Sequence, residues 1–121
     1  MTYEYIDADR ISRLARDLVG DVRSCLRFID DFVAASGERI TRVRRSVDQG
    51  VLDDALASLL SLATSSAMVG AEALASAARD LHAEATRSGS MPARAAEHLE
   101  MINSASCAEL IHLTAPWRVA A

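Results

Sequence analysis

Apolar residues along this chain recur at intervals of three and four, the spacing that gathers them on one side of an α-helix. Asp7-Ala8-Asp9 supplies N-cap candidates ahead of Ile11, Leu14 and Leu18, which share a face, so a short first helix is predicted. Gly20-Asp21 opens a longer one. There Val22, Cys25, Leu26, Ile29, Phe32 and Val33, then Ile40, Val43 and Val47, keep the same rhythm. Ser36-Gly37 is expected to kink it, because glycine costs roughly 1 kcal/mol in a helix interior. Gly50 is placed to end it, just past the C-cap. A third helix starts at Asp53-Asp54, whose charges complement the helix dipole, and carries Leu56, Leu59, Leu62 and Ser66. Met68-Val69-Gly70 reads as a turn. Ala71, Leu74, Ala78, Leu81 and Ala85 then form the inner face of a fourth helix, and Ser88-Gly89-Ser90 is a loop. Pro92 suits the first turn of a fifth helix, which Ala95, Leu99, Ile102, Ser106 and Leu110 give a stripe and Pro116 is expected to stop.

No stretch alternates with period two, so no strand is predicted. Long amphipathic helices joined by short links favour antiparallel neighbours. The expected fold is all-α: an up-down antiparallel four-helix bundle with an additional short N-terminal helix, a single domain over residues 1–121. Residues 115–121 form a tail, in which Trp117 is expected to pack onto the end of the bundle.

Composition agrees with this picture. Half the residues are hydrophobic and only 4% aromatic, a mix rich in Ala, Leu and Val that favours closely packed helices over a sheet. Net charge is −4, which argues against a nucleic-acid partner, since such proteins cluster positive charge to displace counterions. Arg39, Arg42, Arg44 and Arg45 form a local basic group, but Glu38 and Asp48 share that helix, so a solvated face is expected. Cys25 and Cys107 lie far apart in apolar stretches and read as small core thiols. No apolar run reaches membrane-spanning length. Met1-Thr-Tyr-Glu-Tyr has no basic region followed by an apolar one, so a cytoplasmic location is expected.

The informative segment is Leu59-Leu60-Ser61-Leu62-Ala63-Thr64-Ser65-Ser66-Ala67-Met68-Val69-Gly70-Ala71. With Asp17-Leu18-Val19-Gly20-Asp21, Phe32, Arg39-Ile40 and Leu74…Ala78-Arg79-Asp80-Leu81, it resembles the histidine-phosphotransfer (HPt) domain family over roughly residues 9 to 88. That family has a phosphoaccepting His, then Leu, Lys and Gly two, three and four residues on, small residues, and a Gly-Ala pair opening the next helix. Leu62, Ser65, Ser66, Gly70 and Ala71 fall in register, but Leu60 stands at the His position, Ala63 at the Lys and Thr64 at the Gly. Phosphotransfer needs a ring nitrogen with a free lone pair to attack phosphorus, which leucine lacks. The resemblance therefore implies a bundle that binds in a phosphorelay without carrying the phosphoryl group.

At 100° per residue Leu60, Ala63, Thr64 and Ala67 fall on one stripe, and Leu59, Leu62, Ser66 and Val69 on another that faces the bundle. Leu56, Leu60, Ala63, Thr64 and Ala67 are the candidate partner-binding residues, for a response-regulator receiver domain or a histidine kinase. Two placements of Leu60 remain open: an exposed apolar patch with Leu56, or a side chain packed under the first helix or the tail. No catalytic residue, metal ligand or cofactor is expected. His82, about a turn from the neighbour of Leu60 in an antiparallel pair, offers an alternative phosphoacceptor, while His98 and His112 read as helix surface. Ser61, Thr64, Ser65 and Ser66 lack a base nearby in sequence and read as small packing residues. A homodimer or scaffold joined through Leu56 and Leu60 is a further possibility.

Overall fold

The computed structural model describes residues 2–17 and 22–120, with the side chain of residue 120 left aside. The expectations for Leu18 and for Gly20-Asp21 lie outside the described residues. Five helices follow in order: α1 (Ala8–Asp17), α2 (Val22–Asp48), α3 (Leu52–Met68), α4 (Glu72–Ser88) and α5 (Ala95–Ala120), with no strand among the described residues. α3 packs against α2 and α4, α5 packs against the same two helices, and α1 lies on α2.

The faces read from periodicity are those that meet. Leu59, Leu62, Ser66 and Val69 of the third segment, Leu74, Ala78, Leu81 and Ala85 of α4, and Leu99, Ile102, Ser106 and Leu110 of α5 are all buried. Alanines on α4 (Ala75, Ala78, Ala85) let the neighbouring backbones approach closely. Cys25, Ile29, Phe32, Ile40 and Val43 supply the α2 side of the same core.

The turns close as their glycines require. After α2, Gly50 (φ 70°) donates to the Val47 carbonyl and Val51 to that of Ser46. After α3, Gly70 (φ 78°) donates to the Ala67 carbonyl and Ala71 to that of Ser66. Each is a Schellman closure, which needs a left-handed residue past the helix end. The Gly70 turn is pinned from outside. Asp7 N–H donates to the Gly70 carbonyl at 2.8 Å, and Ala73 N–H to the Tyr5 carbonyl at 3.1 Å. Ile6 is buried beneath this N-terminal strap. Asp7 then caps α1, its Oδ1 accepting the Arg10 N–H at 3.1 Å.

α2 is one continuous helix through Ser36-Gly37, with Ser36 fully buried, its hydroxyl on the Val33 carbonyl, and Gly37 exposed. Two expectations need correction. Pro92 does not enter α5 but precedes it by a turn, its carbonyl accepting from the Ala95 N–H. Pro116 does not stop α5, which continues to Ala120, so residues 115–120 are helix and not a tail. The proline sits on the exposed side, while Thr114 is fully buried, Trp117 packs on the core and Arg118 pairs with Asp30 of α2 at 2.5 Å. Those contacts offset a helix break worth about 3 kcal/mol.

Candidate functional site

α3 has three environments around its circumference. Ala55, Leu59, Leu62 and Ser66 face the core. Asp54, Ala57, Ser58, Ser65 and Met68 border the α2 side, where they line clefts shared with α2 residues. Between these directions lies the outer face, and Leu60 stands in it with 50% of its surface exposed. The patch placement is thus the observed one, and neither α1 nor the end of α5 covers this side chain. Thr64, one turn on, is exposed as well, and Leu56, one turn before, is half-buried.

The five candidate residues do not share one surface. Leu60 and Thr64 are exposed, Leu56 and Ala67 are half-buried, and Ala63 is only 5% exposed. Ala63 therefore belongs to the core and not to the outer stripe. It lies about 60° around the helix from Leu60, on the side away from α2, and joins the core cluster. Met68 was read as part of a turn. It is the last residue of α3, 47% exposed, and extends the outer row Leu60–Thr64–Met68 at intervals of four. That interval was the available signal.

Beside this row runs a groove between α2 and α3 of about 310 Å³, lined by Phe28, Phe32, Ala35 and Arg39 on one side and Ser65, Met68 and Val69 on the other. Asp31 also borders it. The outer face of α3 and the aromatic flank of α2 thus form one partly apolar surface. None of the three imidazoles lines this groove.

The histidines are dispersed. His82 is half-buried on α4, its backbone carbonyl accepting from the Thr86 hydroxyl at 2.7 Å. His98 is exposed and borders a cleft with Asp80, Glu84 and Arg94. His112 is exposed, its Nδ1 2.8 Å from the Tyr3 hydroxyl. Among the described residues no group of three His, Cys, Asp or Glu is placed to hold a metal ion. Cys25 is buried and Cys107 half-buried, and burial raises both thiol pKa values, which disfavours the nucleophilic thiolate.

Charge pairs sit elsewhere, between α2 and α5. Arg44 reaches Glu100 at 2.5 Å and Glu97 at 3.3 Å, and its pKa is raised chiefly by the hydrogen bond it donates to Glu100. Arg118 holds Asp30 below the usual carboxylate range through their hydrogen bonds. Of the basic group on α2, Arg44 is thus engaged across the bundle and Arg42 lies 3.8 Å from Glu38. Among the described residues no helix is long and apolar enough to cross a membrane. No family model, curated protein or solved structure matches this chain.

Proposed function

We propose that this chain is a pseudo-HPt module of a phosphorelay: a helical bundle that binds a receiver domain, or the histidine kinase upstream of it, through the Leu60 face without accepting a phosphoryl group. The observation that carries this reading is the half-exposed Leu60, an aliphatic side chain held in solvent where the resembled family presents its imidazole. Burying it against a partner contributes roughly 1 kcal/mol, half of the 1.5–3 kcal/mol of a full leucine burial. Met68 and the groove edged by Phe28 and Phe32 add apolar area on the same side. The short links after α2, α3 and α4 favour an up-down antiparallel course for α2 to α5, as the resemblance implies.

The test is a titration of isotope-labelled protein with the receiver domains and kinase dimerisation domains of its own genome. At least one is expected to shift the signals of Leu60, Thr64 and Met68, and Leu60→Glu is expected to abolish that shift. Because Leu60 is outside the core, Leu60→Glu should change stability by no more than about 0.5 kcal/mol, which separates lost binding from lost folding. Absence of any response at these residues would refute the proposal. So would acid-labile phosphate that appears on the protein after incubation with a phosphorylated receiver and vanishes in His82→Gln.

A further inference from the structure

α5 has a second face that its own chain leaves uncovered. Met101, Ser104, Ala108, Ile111, Ala115 and Val119 follow one another at intervals of three and four, and all six are exposed, Met101 at 60%, Ile111 at 49% and Val119 at 91%. The stripe is about 27 Å long at 1.5 Å per residue; its six members are uncharged, with the exposed His112 and Arg118 at its edges. Among the described residues six large hydrophobic side chains are exposed, and three of them lie on it. Scattered exposed apolar residues are ordinary, but a continuous row along one helix marks a contact surface.

The charges at its two ends select the occupant. Glu97 and Glu100 stand at the N-terminal end of the row and Arg118 at the C-terminal end. Each has a partner within the chain, yet the side chains of Glu97, Glu100 and Arg118 remain 56%, 48% and 37% exposed. A carboxylate accepts about four hydrogen bonds and a guanidinium donates five, so positions are left on each. We infer that the occupant is a second copy of this chain, its α5 running antiparallel to the first.

A two-fold axis near Ala108 and Ile111 sets Met101 beside Arg118 of the second copy. The acidic end of each helix then meets the basic end of the other, twice by symmetry. Each end would join a chain of charges: Arg44, Glu100, Arg118 of the second copy and its Asp30. A parallel pair would instead bring like charges together. The small side chains of Ser104, Ala108 and Ala115 allow the two backbones close approach. α3 and α5 make no extended contact with each other, since both pack on α2 and α4. An α5 pair therefore leaves both Leu60 faces free, and the dimer presents two docking surfaces at once.

Sedimentation equilibrium of the full chain, up to about 100 μM, tests this well above a micromolar dissociation constant. Wild type and Leu60→Glu are expected to dimerise alike. Ile111→Glu, an exposed site whose folding is checked by circular dichroism, should raise the dissociation constant about 100-fold by facing two carboxylates across the axis. On a Cys107→Ser background, Ala108→Cys should cross-link under mild oxidation. Val119→Cys should not, because its two copies lie about 28 Å apart in an antiparallel pair. A monomeric wild type, a dimer lost in Leu60→Glu but kept in Ile111→Glu, or cross-linking at position 119 as fast as at 108 would each overturn the inference.

Discussion

Replacing Gly70 by alanine separates two costs that usually arrive together. Gly70 has φ 78°, and a Cβ built on it lies 2.8 Å from Ile11 Cγ1 and 3.1 Å from the Asp7 carbonyl oxygen. Gly89 has nearly the same backbone, φ 77°, and nothing within 4 Å of its Cβ position. Gly89→Ala therefore measures the left-handed conformation alone, about 1–2 kcal/mol, reduced by the roughly 0.4–1 kcal/mol that alanine removes from unfolded-state entropy. Gly70→Ala adds the collision. Ile11 is fully buried and β-branched, its clashing Cγ1 one bond beyond the stiff branch point, and the Asp7 carbonyl is held by the Ile11 N–H at 3.2 Å. Neither neighbour yields freely, so overpacking adds about 1–3 kcal/mol. The expected losses are about 1 kcal/mol for Gly89→Ala and 2–4 kcal/mol for Gly70→Ala, the second a large share of a typical 5–15 kcal/mol stability. Urea unfolding followed by circular dichroism measures both, with the denaturant slope unchanged. Equal losses within about 0.5 kcal/mol would show that α1 and the strap do not press on the turn, and would refute this account of why glycine stands there.

Two further outcomes follow from buried and paired groups. Ser66 Oγ is buried without a hydrogen-bond partner, whereas the Ser106 hydroxyl bonds the Ile102 carbonyl at 2.7 Å. Ser66→Ala should raise stability by about 1 kcal/mol and Ser106→Ala should not, which thermal unfolding of the two variants checks; a destabilised Ser66→Ala would contradict the orphaned hydroxyl. The folded-state pKa of Asp30 is lowered, first by its hydrogen bond from Arg118, relative to an ordinary value of 3.8. The pair therefore stabilises the fold fully above pH ~4 and loses that contribution as pH falls through the depressed folded value. Asp30→Asn should flatten this part of the acid limb in a stability profile between about pH 2 and 6, while an unchanged acid limb would show that the ion pair contributes nothing to folding.

Much of the architecture was legible in the residues because helical period is a local property. The inner faces of α4 and α5 follow from Leu74, Ala78, Leu81 and Ala85 and from Leu99, Ile102, Ser106 and Leu110, whose spacing fixes their direction whatever they meet. Gly50 and Gly70 marked helix ends because each takes a backbone conformation that other residues adopt at a cost. The candidate site was legible only in outline. Periodicity placed Leu60 opposite the core face, but it could not fix how far round the helix the covering neighbours extend. Ala63 is lost to the core, and Met68 is gained because α3 keeps its helical form to the turn. The strap from Tyr3 to Asp7 had no periodic signal, since its hydrogen bonds reach partners as far along the chain as Glu109 and His112.

Sequence by itself determined that this chain folds as helices, where most of them begin and end, and that position 60 carries no nitrogen to phosphorylate. Tertiary structure alone decided that α2 continues past Gly37, that α5 outlasts Pro116, and which apolar side chains stay in solvent. The physical reason is one of range. Backbone preference at a glycine or proline amounts to about 1–3 kcal/mol, and contacts with distant helices can exceed it. Exposure is a property of the assembled surface, and no single segment contains it.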